Sequence, residues 1–105
     1  MNNSRKTYFA TQCGTVFVKA GSEEYRLSLR LDLRNHSPSG FAWGYGGSGP
    51  AQLALAICAD AYGDEWALRH YQNFKWNFVA TLDASSPWSI TQDDVESLAE
   101  CETPN

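Results

Sequence analysis

The clearest pattern in the chain is an alternation. In YRLSLRLDLR, residues 25–34, Tyr25, Leu27, Leu29, Leu31 and Leu33 alternate with Arg26, Ser28, Arg30, Asp32 and Arg34. A period of two is the signature of a strand with one face in the core and one in water. Upstream, TYFAT and TVFVK are rich in β-branched and aromatic residues, and Cys13–Gly14 and Gly21–Ser22 stand where turns belong. Residues 7–33 therefore predict a three-stranded antiparallel meander whose third strand is long. RNHSPSG, residues 34–40, is turn chemistry that ends it.

The period then changes. Residues 50–61 are apolar on nearly every side, with Gln52 and Asp60 the exceptions, which predicts a helix buried almost all round. Pro50 suits its first position, Ser48 or Gly49 its cap, Gly63 its end, and Asp64 the cap of the next helix. Over 65–82, Ala67, Tyr71, Phe74, Phe78 and Leu82 form one stripe with Leu68 and Val79 beside it, so a second helix packs by that stripe. A loop at 83–87 and a short extended piece, WSI, precede a last helix to about Glu100, with Thr91 and Asp94 as a variant capping box. Strands followed by helices predict an α+β fold, one antiparallel sheet covered on one face. The 105 residues predict a single domain over 1–105.

Composition agrees with a packed globule, since 43% of residues are hydrophobic and 13% aromatic. Cys13, Cys58 and Cys101 are odd in number and widely spaced, which fits neither a disulfide framework nor a metal knuckle and suggests reduced thiols in the cytoplasm. The start of the chain lacks an apolar signal core, and the longest apolar run, LALAICA, is too short to span a bilayer. The net charge of −4 is uneven: six Lys or Arg against three acids in residues 1–36, two against nine in 37–105. The acidic half argues against general nucleic-acid binding, which needs a basic face.

Candidate chemistry centres on FAWGYGGSGPAQLALA, residues 41–56, where Gly44, Gly46 and Gly49 form a literal G-x-G-x-x-G. A dinucleotide site would place that motif between a parallel strand and a helix followed by another strand; here a second helix follows. A phosphate loop of the Walker type needs a Lys after the last glycine, and the chain has Pro50–Ala51. The glycines thus read as a packed turn into a buried helix, and the open alternative is a small anion held at Gly46, Gly47, Ser48 and Gly49 with help from Arg34 and His36. His36 reads as a tie for its own turn, His70 as lying on the less buried side of the second helix, and Cys58 as a core residue. No acid, base and nucleophile can be grouped, so an enzyme has no support and no cofactor or metal is expected. Arg26, Arg30 and Arg34, on the polar face of the long strand, with Trp43 and Tyr45, form a candidate partner surface, because Arg and aromatic residues are enriched at interfaces. Asp93, Asp94, Glu96, Glu100 and Glu102 read as a solvated helix face or a negative docking surface.

The run N-H-S-P-x-G-F-x-W-G-Y-G-G-S-G-P-A-Q-L-A-L-A, here Asn35–Ala56, together with Tyr71–Gln72 and Phe74–Lys75, resembles a small domain of unknown function found in phages, plasmids and other mobile elements of bacteria and archaea. The likeness extends over most of the chain. It implies a setting rather than a mechanism: a small cytoplasmic accessory protein that binds and blocks a host protein, a CRISPR effector or another defence component among the expected partners. A module that sequesters a small anionic ligand or nucleotide at the glycine run is the second expectation.

Overall fold

The computed structural model describes residues 5–12 and 15–101. Strands β1 (Lys6–Gln12), β2 (Thr15–Ala20) and β3 (Glu23–Arg26) are followed by helices α1 (Ser48–Tyr62) and α2 (Asp64–Asn77), a 3-10 turn (Val79–Thr81), strand β4 (Trp88–Thr91) and helix α3 (Gln92–Glu100). The fold is α+β, as the pattern predicts, with a four-stranded antiparallel sheet in the order β3-β2-β1-β4. The fourth strand is the WSI piece, which pairs Thr7 with Thr91 and Tyr8 with Ile90. The turn expected at Cys13–Gly14 lies outside the described residues. Gly21 supplies the left-handed backbone (φ 63°) that turns β2 into β3.

One sheet face carries Tyr8, Ala10, Val16, Val18, Trp88 and Ile90, all buried against the helices. The other is uncovered, and Ser89, Phe9, Phe17 and Arg26 form a row across it, with the two phenyl rings stacked at 5.8 Å. Helix α1 is the centre of the molecule. Leu53, Leu55, Ile57 and Cys58 are fully buried, and each large apolar side chain so placed contributes roughly 1.5–3 kcal/mol. Burial pushes the Cys58 thiol well above the ordinary range, so it packs as a small apolar group. Trp43 and Trp88 meet edge to face at 5.5 Å inside this core, their indole nitrogens buried without a hydrogen-bond partner.

The long third strand does not form. Strand β3 ends at Arg26, and the Leu27 amide still donates to the Val16 carbonyl, but in this register Thr15, the first residue of β2, stands opposite Ser28, and residues past Ser28 face no residue of β2. An alternating pattern without a partner strand cannot stay extended. Arg30 adopts φ 55° and the chain turns over residues 31–33, so Leu27, Leu29 and Leu33 face the core while Leu31 is exposed.

The helix ends also differ in detail. Gly47, rather than Ser48 or Gly49, precedes α1 and makes no side-chain cap; Pro50 is the third residue, still within the first turn where its missing N–H costs nothing. Gly63 ends α1 and begins α2, so Asp64 does not cap it. Helix α2 stops at Asn77, whose side-chain amide donates to the Leu98 and Cys101 carbonyls at the end of α3 and satisfies groups the helix itself cannot. The Thr91 cap forms as predicted, its hydroxyl accepting from the Asp94 amide at 3.2 Å.

Candidate functional site

The glycine turn leads the chain from the core to the surface within a few residues. Trp43 is 2% exposed, which removes it from any partner surface. Gly44 follows at φ 93°, its amide bonded to the Val79 carbonyl at 3.0 Å and its α-carbon pressed against Ala84, where a Cβ would stand 2.8 Å from the alanine Cβ. Tyr45 then emerges, 53% exposed, and its ring lies over Gly47. The indole of Trp76, from α2 and 49% exposed, covers Gly46 at a separation that leaves no room for a side chain there. Gly49 is packed against the Ala42 methyl. The glycines are therefore spent on close approach, and two large rings stand in water on either side of them.

Lys75 adds a charge to this patch. Its side chain is largely buried, its ammonium sits 4.2 Å from the centre of the Trp76 ring, and among the described residues no acid or carbonyl accepts from it. Burial holds its pKa below the ordinary lysine value. The negative face of the indole offsets part of the cost of burying this cation without a counter-charge. Trp76 stands on the side of α2 opposite the stripe that Ala67, Tyr71 and Phe74 form, and that spacing is the sequence signal for its exposure.

The proposed anion-binding set is not gathered into one cradle. Arg34 and His36 are held beside α1 by their backbone, through Gln52, but the Arg34 guanidinium folds back on the Leu33 carbonyl at 2.9 Å and His36 Nε2 lies 2.9 Å from the Tyr71 hydroxyl. Gly46 and Gly47 sit in the turn itself, with Gly47 beneath the tyrosine ring, and Ser48 is the first residue of α1. Gln52 is the organiser that sequence reading noted only as an exception. Its side-chain oxygen accepts from the His36 and Ser37 amides at 2.7 and 2.9 Å, and its nitrogen donates to the Leu29 and Arg34 carbonyls at 2.6 and 3.0 Å. All four hydrogen-bonding positions of a fully buried amide are used.

The arginine row is likewise dispersed, because the strand that would have aligned it stops at Arg26. Arg26 ends β3 on the uncovered face. Arg30 is clamped between Asp32 and Asp64, at 2.9 Å from each, and these hydrogen bonds hold its pKa above even the usual arginine value. Tyr45 is thus the member of the expected surface that remains within the aromatic patch.

A second cluster lies on the other side of α1. Asp60 Oδ1 accepts from the Tyr8 hydroxyl at 2.8 Å and from Lys6 Nζ at 3.0 Å, and Oδ2 accepts from the Tyr25 hydroxyl at 2.7 Å. Burial and the hydrogen bond to Asp60 push the Tyr8 phenol far up, and the Tyr25 phenol moves the same way. This group joins helix to sheet. The cleft beside it, lined by Tyr25, Ser28, Arg30 and Ala56, encloses about 150 Å³, and another by Val16, Leu29 and Phe41 about 160 Å³. Both are smaller than the roughly 300 Å³ that a metabolite-sized ligand requires. Among the described residues no group of three His, Cys, Asp or Glu is placed to hold a metal ion, and no helix is long and apolar enough to cross a membrane.

A family model described as a family of unknown function (DUF6166) matches residues 5–101. No curated protein and no solved structure matches the chain.

Proposed function

We propose that this chain, which belongs to the DUF6166 family, is a protein-binding module whose contact surface is the glycine turn with Tyr45, Trp76 and Lys75. The observation that carries the reading is the exposure of two large rings over adjacent glycines of one turn. Aromatic side chains of this kind anchor interfaces because they offer much area at little conformational cost. The complementary partner presents an apolar side chain to the rings and a carboxylate to Lys75.

The finer reading keeps the setting that the sequence resemblance implies: the chain acts without catalysis, as an accessory protein of a mobile element, and its partner is a component of host defence. That resemblance is its support. The test uses the full chain with a photo-crosslinking residue at position 45, expressed in a host that carries an active defence system. Cross-linking to a defence component, with restored phage plating that is lost in Tyr45→Ala/Trp76→Ala, is the expected result. Plating that the wild type leaves unchanged, or inhibition indifferent to the double substitution, defeats it.

A further inference from the structure

The free edge of the sheet points to a second copy of this chain. Strand β3 is an outer strand, all four of its residues are exposed, and it reads Glu23-Glu24-Tyr25-Arg26. The Leu27 amide donates to Val16, and Tyr25 stands opposite Val18, so by the alternation of an antiparallel ladder the odd residues of β3 turn their backbone groups toward β2. Glu24 and Arg26 therefore turn theirs outward, unpaired. Their side chains project on the uncovered face, beside Lys19 and Phe17, and among the described residues neither has an ion-pair or hydrogen-bond partner. Exposed charges usually guard an edge against pairing. Here their spacing selects a partner instead.

We propose that β3 pairs antiparallel with β3 of a second copy about a twofold axis through Tyr25, making one continuous eight-stranded sheet. A twofold normal to the sheet keeps all helices on the same face, and it permits only registers in which residues of the same face meet. With Tyr25 opposite Tyr25, Glu24 of each copy stands opposite Arg26 of the other. The outward amides and carbonyls of both residues are then joined by four backbone hydrogen bonds, and two reciprocal ion pairs form on the open face. The neighbouring registers place Glu24 against Glu24 or Arg26 against Arg26 and are repelled. Tyr25, 38% exposed as the monomer stands, falls at the close, non-hydrogen-bonded position of the ladder, where the two rings cover each other.

The full chain, examined by sedimentation velocity over a concentration series, is expected to show a reversible dimer. Glu24→Arg and Arg26→Glu should each weaken it by about tenfold or more, since each turns both attractive pairs into repulsive ones. The double variant Glu24→Arg/Arg26→Glu restores the pairs with their signs exchanged and should recover dimerisation. A mixture of the two single variants should form the heterodimer in native mass spectrometry, because one then carries two arginines and the other two glutamates. A chain that stays monomeric throughout the series, a dimer unaffected by the single reversals, or single variants that fail to recombine would each overturn the proposal. Circular dichroism of every variant confirms that the exposed substitutions leave the fold intact. Neither Tyr45 nor Trp76 lies in β3, so this outcome is independent of the partner surface proposed above.

Discussion

The Gln52 side chain holds the His36 backbone amide at 2.7 Å from inside the core, and with three further bonds it fixes the segment 29–37 against the helix that follows it in sequence. A polar residue in an otherwise apolar helix is thereby the device that replaces a missing strand partner.

Replacing Gln52 by Leu should be among the most damaging single changes. It fits the space but leaves the part-buried His36 and Ser37 amides and the Leu29 and Arg34 carbonyls without their partner, each costing about 1–3 kcal/mol where water cannot reach it. Urea denaturation is expected to show a loss of at least about 3 kcal/mol, a large fraction of a small domain's total stability. A loss below about 1 kcal/mol would mean that water satisfies these groups.

The glycines of the turn should respond differently to alanine. Gly44 combines φ 93° with backbone and side-chain atoms of Ala84 at 2.8–3.0 Å from a Cβ, so Gly44→Ala should cost about 2–4 kcal/mol. At Gly46 the obstacle is the exposed Trp76 ring, which can swing aside. Gly46→Ala should leave the melting temperature within a few degrees of wild type while shifting tryptophan fluorescence. Equal destabilisation at both positions would contradict the packing described.

Arg30 offers a separation of backbone from charge. Both Arg30→Gly and Arg30→Ala remove the bridge to Asp32 and Asp64, but only glycine accepts φ 55° without strain. Thermal denaturation should rank the glycine variant above the alanine variant by about 1 kcal/mol. The reverse order would argue that residue 30 is not held in the left-handed region.

Alkaline pH should unfold the protein early. The Tyr8 phenol, buried and donating to Asp60, holds its proton in the folded state well beyond the range in which an unfolded tyrosine loses it. Above about pH 10 the folded chain therefore binds more protons than the unfolded one, and stability falls as pH rises. The slope from this one group approaches about 1.4 kcal/mol per pH unit. Tyr8→Phe should be less stable at pH 7 by about 1–2 kcal/mol for the lost hydrogen bond, yet show a shallower decline above pH 10. Parallel curves for the two proteins would refute the assignment.

The helices were legible because a 3.6-residue period needs no distant partner: Ala67, Tyr71 and Phe74 lie on the core side as their spacing requires. The alternation at 25–34 does not yield a strand of that length because it describes only the side chains, and whether the backbone can stay extended depends on the length of β2, a non-local matter. The piece WSI, residues 88–90, shows in sequence only as extended, since so short a run does not reveal that it pairs with the first strand. For the site, Tyr45 and the glycines were visible, while Trp76 and Lys75 joined them only when α2 was folded over the turn. Trp43 and Tyr45, two residues apart, could not be told inside from outside until Gly44 had reversed the chain between them.

The pairing of Thr7 with Thr91 sets an order of events at synthesis. Strand β1 is made first, yet its second edge stays open until some eighty residues more have been added. The meander and the α1–α2 pair are local and can assemble on the growing chain, but Trp88, Ile90, Val95 and Ala99 reach the core last. A chain cut short before Trp88 would display the naked edge of its own first strand, the form most exposed to aggregation or proteolysis.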